Sequence, residues 1–388
     1  MARSRSPRRR FFYRLLRVSG AVGLLGIVVL LVLMFFSGFP RNLGKGAQGE
    51  RLARIQQSPQ YQDGVFRNEE PTSLFTGDKG RMAVMWEFMF GPKTQRKPGT
   101  PLPVVATDLQ GLPADRDTLV WLGHSSFYFQ FQGHRILIDP VLGDYAAPLS
   151  PFNRAFKGPY PFPPESIPAV DFLLITHDHY DHLDYQTLRA IRERVGRVIV
   201  PLGVGAHLEH WGFDPAQIRE VDWHDTVSLA ADLTLHALPA RHFSGRGLGS
   251  NKTLWVSYLF EGAARKVYFS GDSGYDGHFK KIGERFGGVD LAIMEDGQYD
   301  PSWAQIHMLP REVAQASVDL QAAAVIPCHA GRFTLSNHSW DAPYRDLAKA
   351  SEALGVNLLT PRMGEVYHLD DPTPGFEPWW EYVGEGAR

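Results

Sequence analysis

Cysteine is almost absent from this chain of 388 residues, which contains only Cys328. A single cysteine excludes an intramolecular disulfide framework and any metal site built from several thiolates. No repeat of fixed period is present, which excludes a solenoid or propeller. Hydrophobic residues make up 44% of the chain and charged residues 21%, so wholesale disorder is also excluded. The length predicts one large domain with extensions, or two domains.

Acidic residues are missing from the N-terminus. Residues 1–17 carry seven arginines and no acid, whereas the remaining 371 residues carry a net charge of −9. A net-acidic body binds a phosphate backbone poorly. The composition therefore predicts a basic N-terminal tail and no nucleic-acid partner.

Charge is absent from residues 18–36, which include one polar side chain, Ser19. A helix of this length measures about 28 Å, close to the hydrocarbon thickness of a bilayer. The segment predicts a transmembrane anchor, and a cleaved signal peptide is the competing interpretation. Because seven arginines precede the span, and four basic residues (Arg41, Lys45, Arg51 and Arg54) flank its other end, we expect a single-pass membrane protein with a cytoplasmic N-terminus. The catalytic domain would then be extracytoplasmic, or periplasmic in a bacterium.

The rest of the chain divides into three predicted parts. Residues 37–117 lack clear periodicity and are expected to form a linker and an extension that packs on the body. Their apolar stretch 82–90 either packs there or forms the wall of an apolar groove or a membrane-docking patch. Residues 118–370 form the main domain, and 371–388 a C-terminal tail.

Within the main domain, short apolar runs alternate with helical patterns, which predicts a layered α/β sandwich. The expected strands lie near 118–122, 126–132, 135–138, 170–176, 197–200, 233–239, 254–260, 266–270, 290–294 and 323–327. The expected helices lie near 185–195, 203–211, 277–286, 310–320 and 341–354.

A cluster of histidine and aspartate follows the predicted strand 170–176. It reads His177-Asp178-His179-Tyr180-Asp181-His182. Imidazole and carboxylate are the ligands that zinc and similar metals prefer. These side chains cannot share one face of a helix, but on a loop they can surround a point. The pattern therefore predicts a metal site, against the alternative of a solvated polar loop.

Three more candidate ligands follow other predicted strands. His242 comes after 232–239, Asp272 after 265–269 and His329 after 323–327. Ligands in open α/β sheets gather at the carboxyl ends of the strands. We therefore expect these three side chains to converge with the His177 cluster.

The order His-x-His-x-Asp-His, then His, Gly-Asp and His resembles the metallo-β-lactamase superfamily. The resemblance implies an α/β (α+β) chain folded as a four-layer αββα sandwich, with two Zn²⁺ ions per chain; manganese and iron stay open as alternatives. It also assigns the ligands: His177, His179 and His242 for one ion, Asp181, His182 and His329 for the other, and Asp272 as the bridge. The diiron flavoproteins of the superfamily carry Glu at the position of His179, so this histidine favours zinc and hydrolysis.

Within the superfamily, the chain most resembles the phospholipases D that hydrolyse N-acyl-phosphatidylethanolamine. The resemblance covers roughly residues 118–370, and segments 283–287 and 299–303 are its more specific motifs. It implies that Tyr180 and His307 contact the substrate near its phosphate, and that Asp181, Asp272 and His307 take part in catalysis. It implies a phospholipid substrate and a membrane as partners, and it leaves a homodimer open.

The chain departs from that family in two places. Glu295-Asp296 stands where the family is apolar, and Phe243 stands where it has tryptophan. Acids near the mouth of a site could repel a phosphate or bind a cationic headgroup. They leave the exact substrate open.

Three functions remain compatible with these residues. A hydroxide held by two metals can attack phosphorus or a carbonyl carbon. The main prediction is a membrane-anchored zinc phosphodiesterase of phospholipase D type that releases phosphatidic acid and the N-acylated headgroup. A lactonase or other ester hydrolase is the alternative within the same fold. A non-catalytic membrane scaffold is the third, and the complete set of seven ligands disfavours it.

Overall fold

A computed structural model describes residues 19–20, 23–26, 28, 39–77, 79–91, 95–149, 152–247, 249–371 and 374–384. The chain divides into two compact units, Met1–Leu43 and Gly44–Arg388. The second unit contains every candidate site residue and all strands of the described residues.

The predicted membrane topology is wrong. Within the part of the chain that the structure describes, no helix combines the length and the apolar character needed to cross a bilayer. This finding contradicts a single-pass protein with a cytoplasmic N-terminus and an extracytoplasmic domain. Most of the predicted span 18–36 itself lies outside the described residues.

The first sheet has seven strands, which are, in spatial order, β15 (Val366–His368), β3 (Thr118–Gly123), β4 (Ser126–Phe131), β5 (His134–Ile138), β6 (Val170–Leu174), β7 (Val195–Pro201) and β8 (Ile218–Val221). Strands β15, β3, β4 and β5 are antiparallel neighbours, whereas β5 to β8 are parallel. The turn between β4 and β5 is built on Gly133, whose φ of 77° lies in the left-handed region that glycine adopts without strain.

The second sheet has six strands, which are, in spatial order, β14 (Val325–Cys328), β13 (Leu291–Glu295), β12 (Lys266–Phe269), β11 (Ser257–Glu261), β10 (Leu233–Leu238) and β9 (Thr226–Ala230). Strands β12, β13 and β14 are parallel, while β9 to β12 are antiparallel neighbours. Because β11 is antiparallel to both β10 and β12, β10 runs parallel to β12.

Helices cover the outer faces of both sheets. A cluster that includes Phe279, Val313 and Leu347 packs three helices on the second sheet, and Leu188 and Leu208 join the larger core around the first sheet. The predicted αββα sandwich is therefore confirmed as an α/β fold with two mixed sheets. The main-domain helices are α4 (Tyr185–Ile191), α5 (Gly205–His210), α6 (His278–Phe286), α7 (Pro310–Asp319) and α8 (Ala342–Leu354).

The residues before 118 contain further elements that the periodicity did not predict. They are α1 (Phe39–Asn42), α2 (Gly49–Ile55), the hairpin strands β1 (Tyr61–Gln62) and β2 (Val65–Phe66), and α3 (Arg81–Phe90). Phe66 is fully buried, and Arg51 donates to Glu220 of the main domain at 3.0 Å. The segment 44–90 is therefore part of the same compact unit as the sandwich.

The strand directions bring the carboxyl ends of β10, β12, β13 and β14 to one edge of the second sheet. The candidate ligands His242, Asp272 and His329 follow β10, β12 and β14 at this edge. The His177 loop follows β6 in the other sheet. The topology thus supplies the convergence that the sequence predicted.

His278 provides a test of this packing. It begins α6, is 5% exposed, and lies with Nε2 3.3 Å from the hydroxyl of Ser273. Burial, reinforced by Arg241 and Lys281, lowers the pKa of His278 to about 3. The unfolded chain, with an ordinary histidine pKa near 6.5, then binds a proton that the folded chain does not. Stability is therefore lost as the pH falls below about 6.5.

We expect the wild type to lose about 2 kcal/mol more unfolding free energy between pH 7 and pH 5 than the variant His278→Gln. Denaturant titrations at the two pH values measure the difference. The same substitution at the exposed His210 is the control. Parallel pH profiles for wild type and His278→Gln would contradict the buried neutral imidazole.

Candidate metal centre

Three imidazoles and one carboxylate form the first group of the site. The Nδ1 atom of His179 lies 2.9 Å from Nε2 of His177 and 3.2 Å from Nε2 of His242. An Oδ2 atom of Asp272 lies 3.7 Å from Nε2 of both His177 and His242. These four side chains offer ligand atoms that lie within 4.8 Å of one another.

The second group shares Asp272 with the first. The Nε2 atom of His182 lies 3.1 Å from Oδ1 of Asp272, and Nε2 of His329 lies 3.3 Å from its Oδ2. Asp181 completes this group, with Oδ2 3.0 Å from Nε2 of His329. The structure therefore brings all seven sequence-predicted ligands together, with Asp272 between the two groups.

The donor set fits a dinuclear metal site. Two ligand atoms at tetrahedral positions, each about 2.1 Å from one ion, lie about 3.4 Å apart. The contacts within the two groups, from 2.9 to 3.7 Å, match that spacing. In addition, Nε2 of His182 and Oδ1 of Asp272 are buried 3.1 Å apart without forming a hydrogen bond to each other, and neither has another hydrogen-bond partner. Such orphaned atoms are costly unless a cation satisfies them.

Acceptors on the far side of the rings orient the ligands. Asp139 lies 2.7 Å from Nδ1 of His182, and the carbonyl of Ile306 lies 2.9 Å from Nδ1 of His242. A carboxylate or carbonyl at Nδ1 requires the proton there, which leaves the Nε2 lone pair for a metal. Asp139 thus orients a ligand, and His124 holds Asp181 through a 2.9 Å contact.

Electrostatics prepares these groups to bind cations. Burial lowers the pKa of His177 and of His242 well below the ordinary value, so both rings are neutral. Burial alone would raise the pKa of Asp272, but the adjacent rings of His182 and His329 hold it well below its ordinary value. The pKa of His329, which burial alone would lower, rises to about 9 through Asp272 and Asp181. The pKa of His182, which burial alone would lower, is likewise raised by Asp272 and Asp181. Because metals bind neutral imidazoles and ionised carboxylates, His177 and His242 are already in the binding form, whereas His182 and His329 must release a proton when a cation binds.

Several residues at or beside the candidate ligands have a strained backbone conformation. Non-glycine residues His124, Asp139 and His329 adopt φ values of 53°, 43° and 66°. Such conformations cost roughly 1–3 kcal/mol each and persist where the surrounding structure enforces them. At His329 the surrounding structure is tightly packed: a Cβ added to Gly297 would lie 1.5 Å from the His329 carbonyl oxygen. Only glycine allows these two strand ends to approach so closely.

A cavity of about 610 Å³ opens onto the two groups. Its lining includes the candidate ligands His179, Asp181, Asp272 and His329, so the cavity reaches the metal site directly. Apolar side chains form most of the remaining wall. They are Leu74, Phe75, Val84, Phe88, Phe243, Trp303, Ile306 and Leu335, with Arg81, Gln298 and His307 as the other polar members.

Several of these residues were missed by the sequence analysis. Leu74, Phe75 and Arg81 lie in the extension, where the apolar stretch 82–90 was the one signal for a groove wall. Asn68 was also missed: its side chain accepts from the His242 backbone N–H at 3.0 Å and donates to the His242 carbonyl at 2.8 Å. No local sequence pattern predicts a contact between two residues that are 174 positions apart.

The two predicted substrate contacts are placed differently. His307 lines the cavity, and its ring lies 5.0 Å from that of His242 and 5.2 Å from that of His329. Tyr180 is not among the described residues that line the cavity. Its hydroxyl donates to the carbonyl of Arg246, whose guanidinium lies 4.1 Å from the Tyr180 ring.

Comparison with known proteins agrees with this site. Residues 134–330, half of the chain, match the family model for a beta-lactamase superfamily domain. The chain belongs to the metallo-β-lactamase superfamily. An uncharacterised protein of Mycobacterium tuberculosis is 38% identical over 349 residues, which cover 88% of this chain and 92% of that protein.

A second relative has a described activity. The N-acyl-phosphatidylethanolamine-hydrolyzing phospholipase D 1 of Caenorhabditis elegans is 32% identical over 268 residues, or 65% of this chain and 75% of that protein. The suspected relation to this family of phospholipases is therefore confirmed, and with it a metal-dependent hydrolase.

A solved structure shows the same fold with different chemistry. CmlA, a diiron β-hydroxylase from Streptomyces venezuelae, superposes with a TM-score of 0.51 at 23% identity, over 65% of this chain and 54% of CmlA. The fold therefore fixes neither zinc nor hydrolysis. The two-metal prediction is supported by the geometry, whereas the identity of the metal stays a prediction.

The substitution Asp272→Asn tests the shared position. The amide removes the negative charge between the two groups, so we expect fewer than two equivalents of metal per chain and a nearly complete loss of hydrolysis. Elemental analysis of the purified protein measures the metal, and circular dichroism confirms folding. Asp276→Asn, four residues further on, is the control and should keep full metal content. Two tightly bound equivalents in Asp272→Asn would contradict the dinuclear assignment.

Proposed function

We propose that the protein is a zinc-dependent phosphodiesterase of phospholipase D type, acting on phospholipids that resemble N-acyl-phosphatidylethanolamine. One observation carries the proposal: a largely apolar cavity of about 610 Å³ ends on the paired His/Asp groups. Such a cavity suits a substrate with long acyl chains and a phosphate. The relation to a phospholipase D from Caenorhabditis elegans supports the same substrate class.

The reaction is hydrolysis of the bond between phosphorus and the headgroup oxygen. Two bound zinc ions would supply a nucleophilic water at neutral pH and stabilise charge on the phosphoryl oxygens. Water oxygen bonds to phosphorus, the headgroup oxygen leaves, and that oxygen takes a proton. The products are phosphatidic acid and an N-acylethanolamine.

The chain's own residues position this substrate. Asp181 and Asp272 line the cavity floor with the imidazoles, where the phosphate would lie. His307 lines the cavity beside them, and an imidazole there can hold or donate a proton to a phosphate oxygen or to the leaving alkoxide. Arg81 is the one arginine or lysine among the described lining residues, and it favours an anionic substrate.

Tyr180 fits a supporting role in this proposal. Its hydroxyl donates to a backbone carbonyl, and its ring lies against the Arg246 guanidinium. We therefore propose that Tyr180 fixes the loop that carries His179 and Asp181. Contact between its hydroxyl and the phosphate would require a change in this hydrogen bond.

A substrate panel in H₂¹⁸O tests the proposed reaction. The zinc-loaded protein is incubated with N-acyl-phosphatidylethanolamine, phosphatidylethanolamine, phosphatidylcholine, acylated lactones and carboxylic esters in detergent micelles. We expect fastest turnover of the N-acylated lipid, with ¹⁸O in phosphatidic acid and none in the N-acylethanolamine. Faster turnover of lactones or esters would replace phosphodiester by carbonyl chemistry, and no turnover at all would favour the scaffold.

The wall formed by α3 gives a sharper prediction. Phe88 lines the cavity and packs on Trp303 with ring centroids 6.2 Å apart, whereas Trp86, on the same helix, is 66% exposed. We expect Phe88→Ala to raise KM for a long-chain lipid about tenfold, which corresponds to about 1.4 kcal/mol of lost apolar contact.

The control for this prediction is Trp86→Ala, which removes a larger aromatic ring from the solvent side of α3. It should leave KM within about twofold when the lipid is presented in neutral micelles. A short-chain lipid should also reduce the effect of Phe88→Ala. Equal effects of both substitutions would show that the helix surface, not the cavity wall, governs affinity.

A further inference from the structure

Glu295 is a buried acidic residue that is not one of the seven candidate metal ligands. It ends β13, between the parallel neighbours β12 and β14, and is 0% exposed. A carboxylate in such a position is costly unless hydrogen bonds compensate for the loss of water. Its surroundings therefore indicate what holds it there.

Two histidines share one oxygen of this carboxylate. Oε2 of Glu295 lies 3.3 Å from Nδ1 of His307 and 3.3 Å from Nδ1 of His329. The other oxygen, Oε1, accepts from the backbone N–H of Met308 at 2.7 Å. The two imidazoles lie nearly parallel, with an interplanar angle of 22°. One carboxylate thus contacts a predicted metal ligand, a histidine of the cavity wall and the backbone beside that histidine.

We propose that Glu295 is a positioning residue that couples metal binding at His329 to the placement of His307 in the cavity. Its carboxylate accepts the Nδ1 protons of both rings. In His329 this leaves Nε2 for the metal, and in His307 it fixes the angle at which the ring meets the substrate. The consequence for turnover rests on the proposed function, whereas the effect on the metal site does not.

The adjacent acid Asp296 provides a matched control. It is also 0% exposed, but neither of its carboxylate oxygens has a hydrogen-bond partner. Burial, followed by the proximity of Glu295, raises the pKa of Asp296 well above its ordinary value. Its surroundings therefore favour the uncharged carboxyl, which asparagine resembles, and Asp296→Asn removes no hydrogen bond to either histidine.

The test compares Glu295→Gln with Asp296→Asn in the full chain. Glutamine has one acceptor oxygen where three donors converge on two, so at least one of these donors loses its acceptor and the amide NH₂ faces an N–H group. Competition with a chelator measures the affinity for zinc alone, without substrate. We expect Glu295→Gln to bind its weaker zinc ion 10- to 100-fold less tightly, in line with other outer partners of ligating histidines. Asp296→Asn should match the wild type.

A second readout examines the link to His307. At saturating zinc, Glu295→Gln should lower kcat at least tenfold with KM changed less than threefold. In a His307→Ala background the same substitution should cost far less, because its target is already missing. Should Glu295→Gln not fold, Glu295→Asp takes its place with the same expectations, since the shorter carboxylate cannot reach both rings.

Unchanged zinc affinity in the substituted protein would overturn the role at His329. Equal losses of kcat with and without His307 would overturn the coupling. If the wild type does not hydrolyse the lipid, the proposed function fails, but the comparison of zinc affinities still decides whether Glu295 supports the metal site.

Discussion

The burial of many metal-binding side chains in one small space is the constraint on which this structure depends. Within one edge of the sandwich, imidazole nitrogens face one another at 2.9–3.2 Å and two ionised aspartates lie among them. Removing these groups from water is costly in a medium of low dielectric, and pairing of Asp272 with His182 and His329 offsets only part of that cost. Two divalent cations would add short attractive contacts to the whole set. The protein must therefore hold the ligands in place before any cation arrives. The two sheets and their covering helices provide that rigidity.

The rigidity is expressed in the backbone as well as in the core. His124, Asp139 and His329 are held at positive φ, and Gly297 allows the loop after β13 to lie against the His329 carbonyl. Strain of this kind is stable only when many surrounding contacts oppose relaxation. Outer partners such as Asp139 and Glu295 then set the direction of each ring. Ligand geometry is thus determined at three levels, by strand direction, by loop conformation and by hydrogen bonds behind the imidazoles.

The sequence predicts the part of this site that is local or periodic. The cluster at His177 is readable because its residues are adjacent, and His242, Asp272 and His329 because each follows a recognisable strand. The roles of Asn68 and Glu295 could not be predicted, since they depend on contacts between distant segments. Arg81 was missed because α3 has no strong helical periodicity. The anchor at 18–36 was inferred from hydropathy alone, which does not show whether a membrane-spanning helix forms.

The metal ligands and much of the apolar cavity wall come from different parts of the chain. The matched superfamily domain, residues 134–330, contains all seven candidate ligands. Residues outside this domain also contact the ligands: Asn68, for example, forms a hydrogen bond with the backbone of His242. Much of the apolar cavity wall instead comes from residues 74–88, which precede that domain. The superfamily fold also occurs in a diiron hydroxylase, so the fold alone does not select a reaction. Under the proposed function, the ligand set would determine which bonds can be attacked, and residues 74–88, which form part of the cavity wall, would influence which molecules reach it.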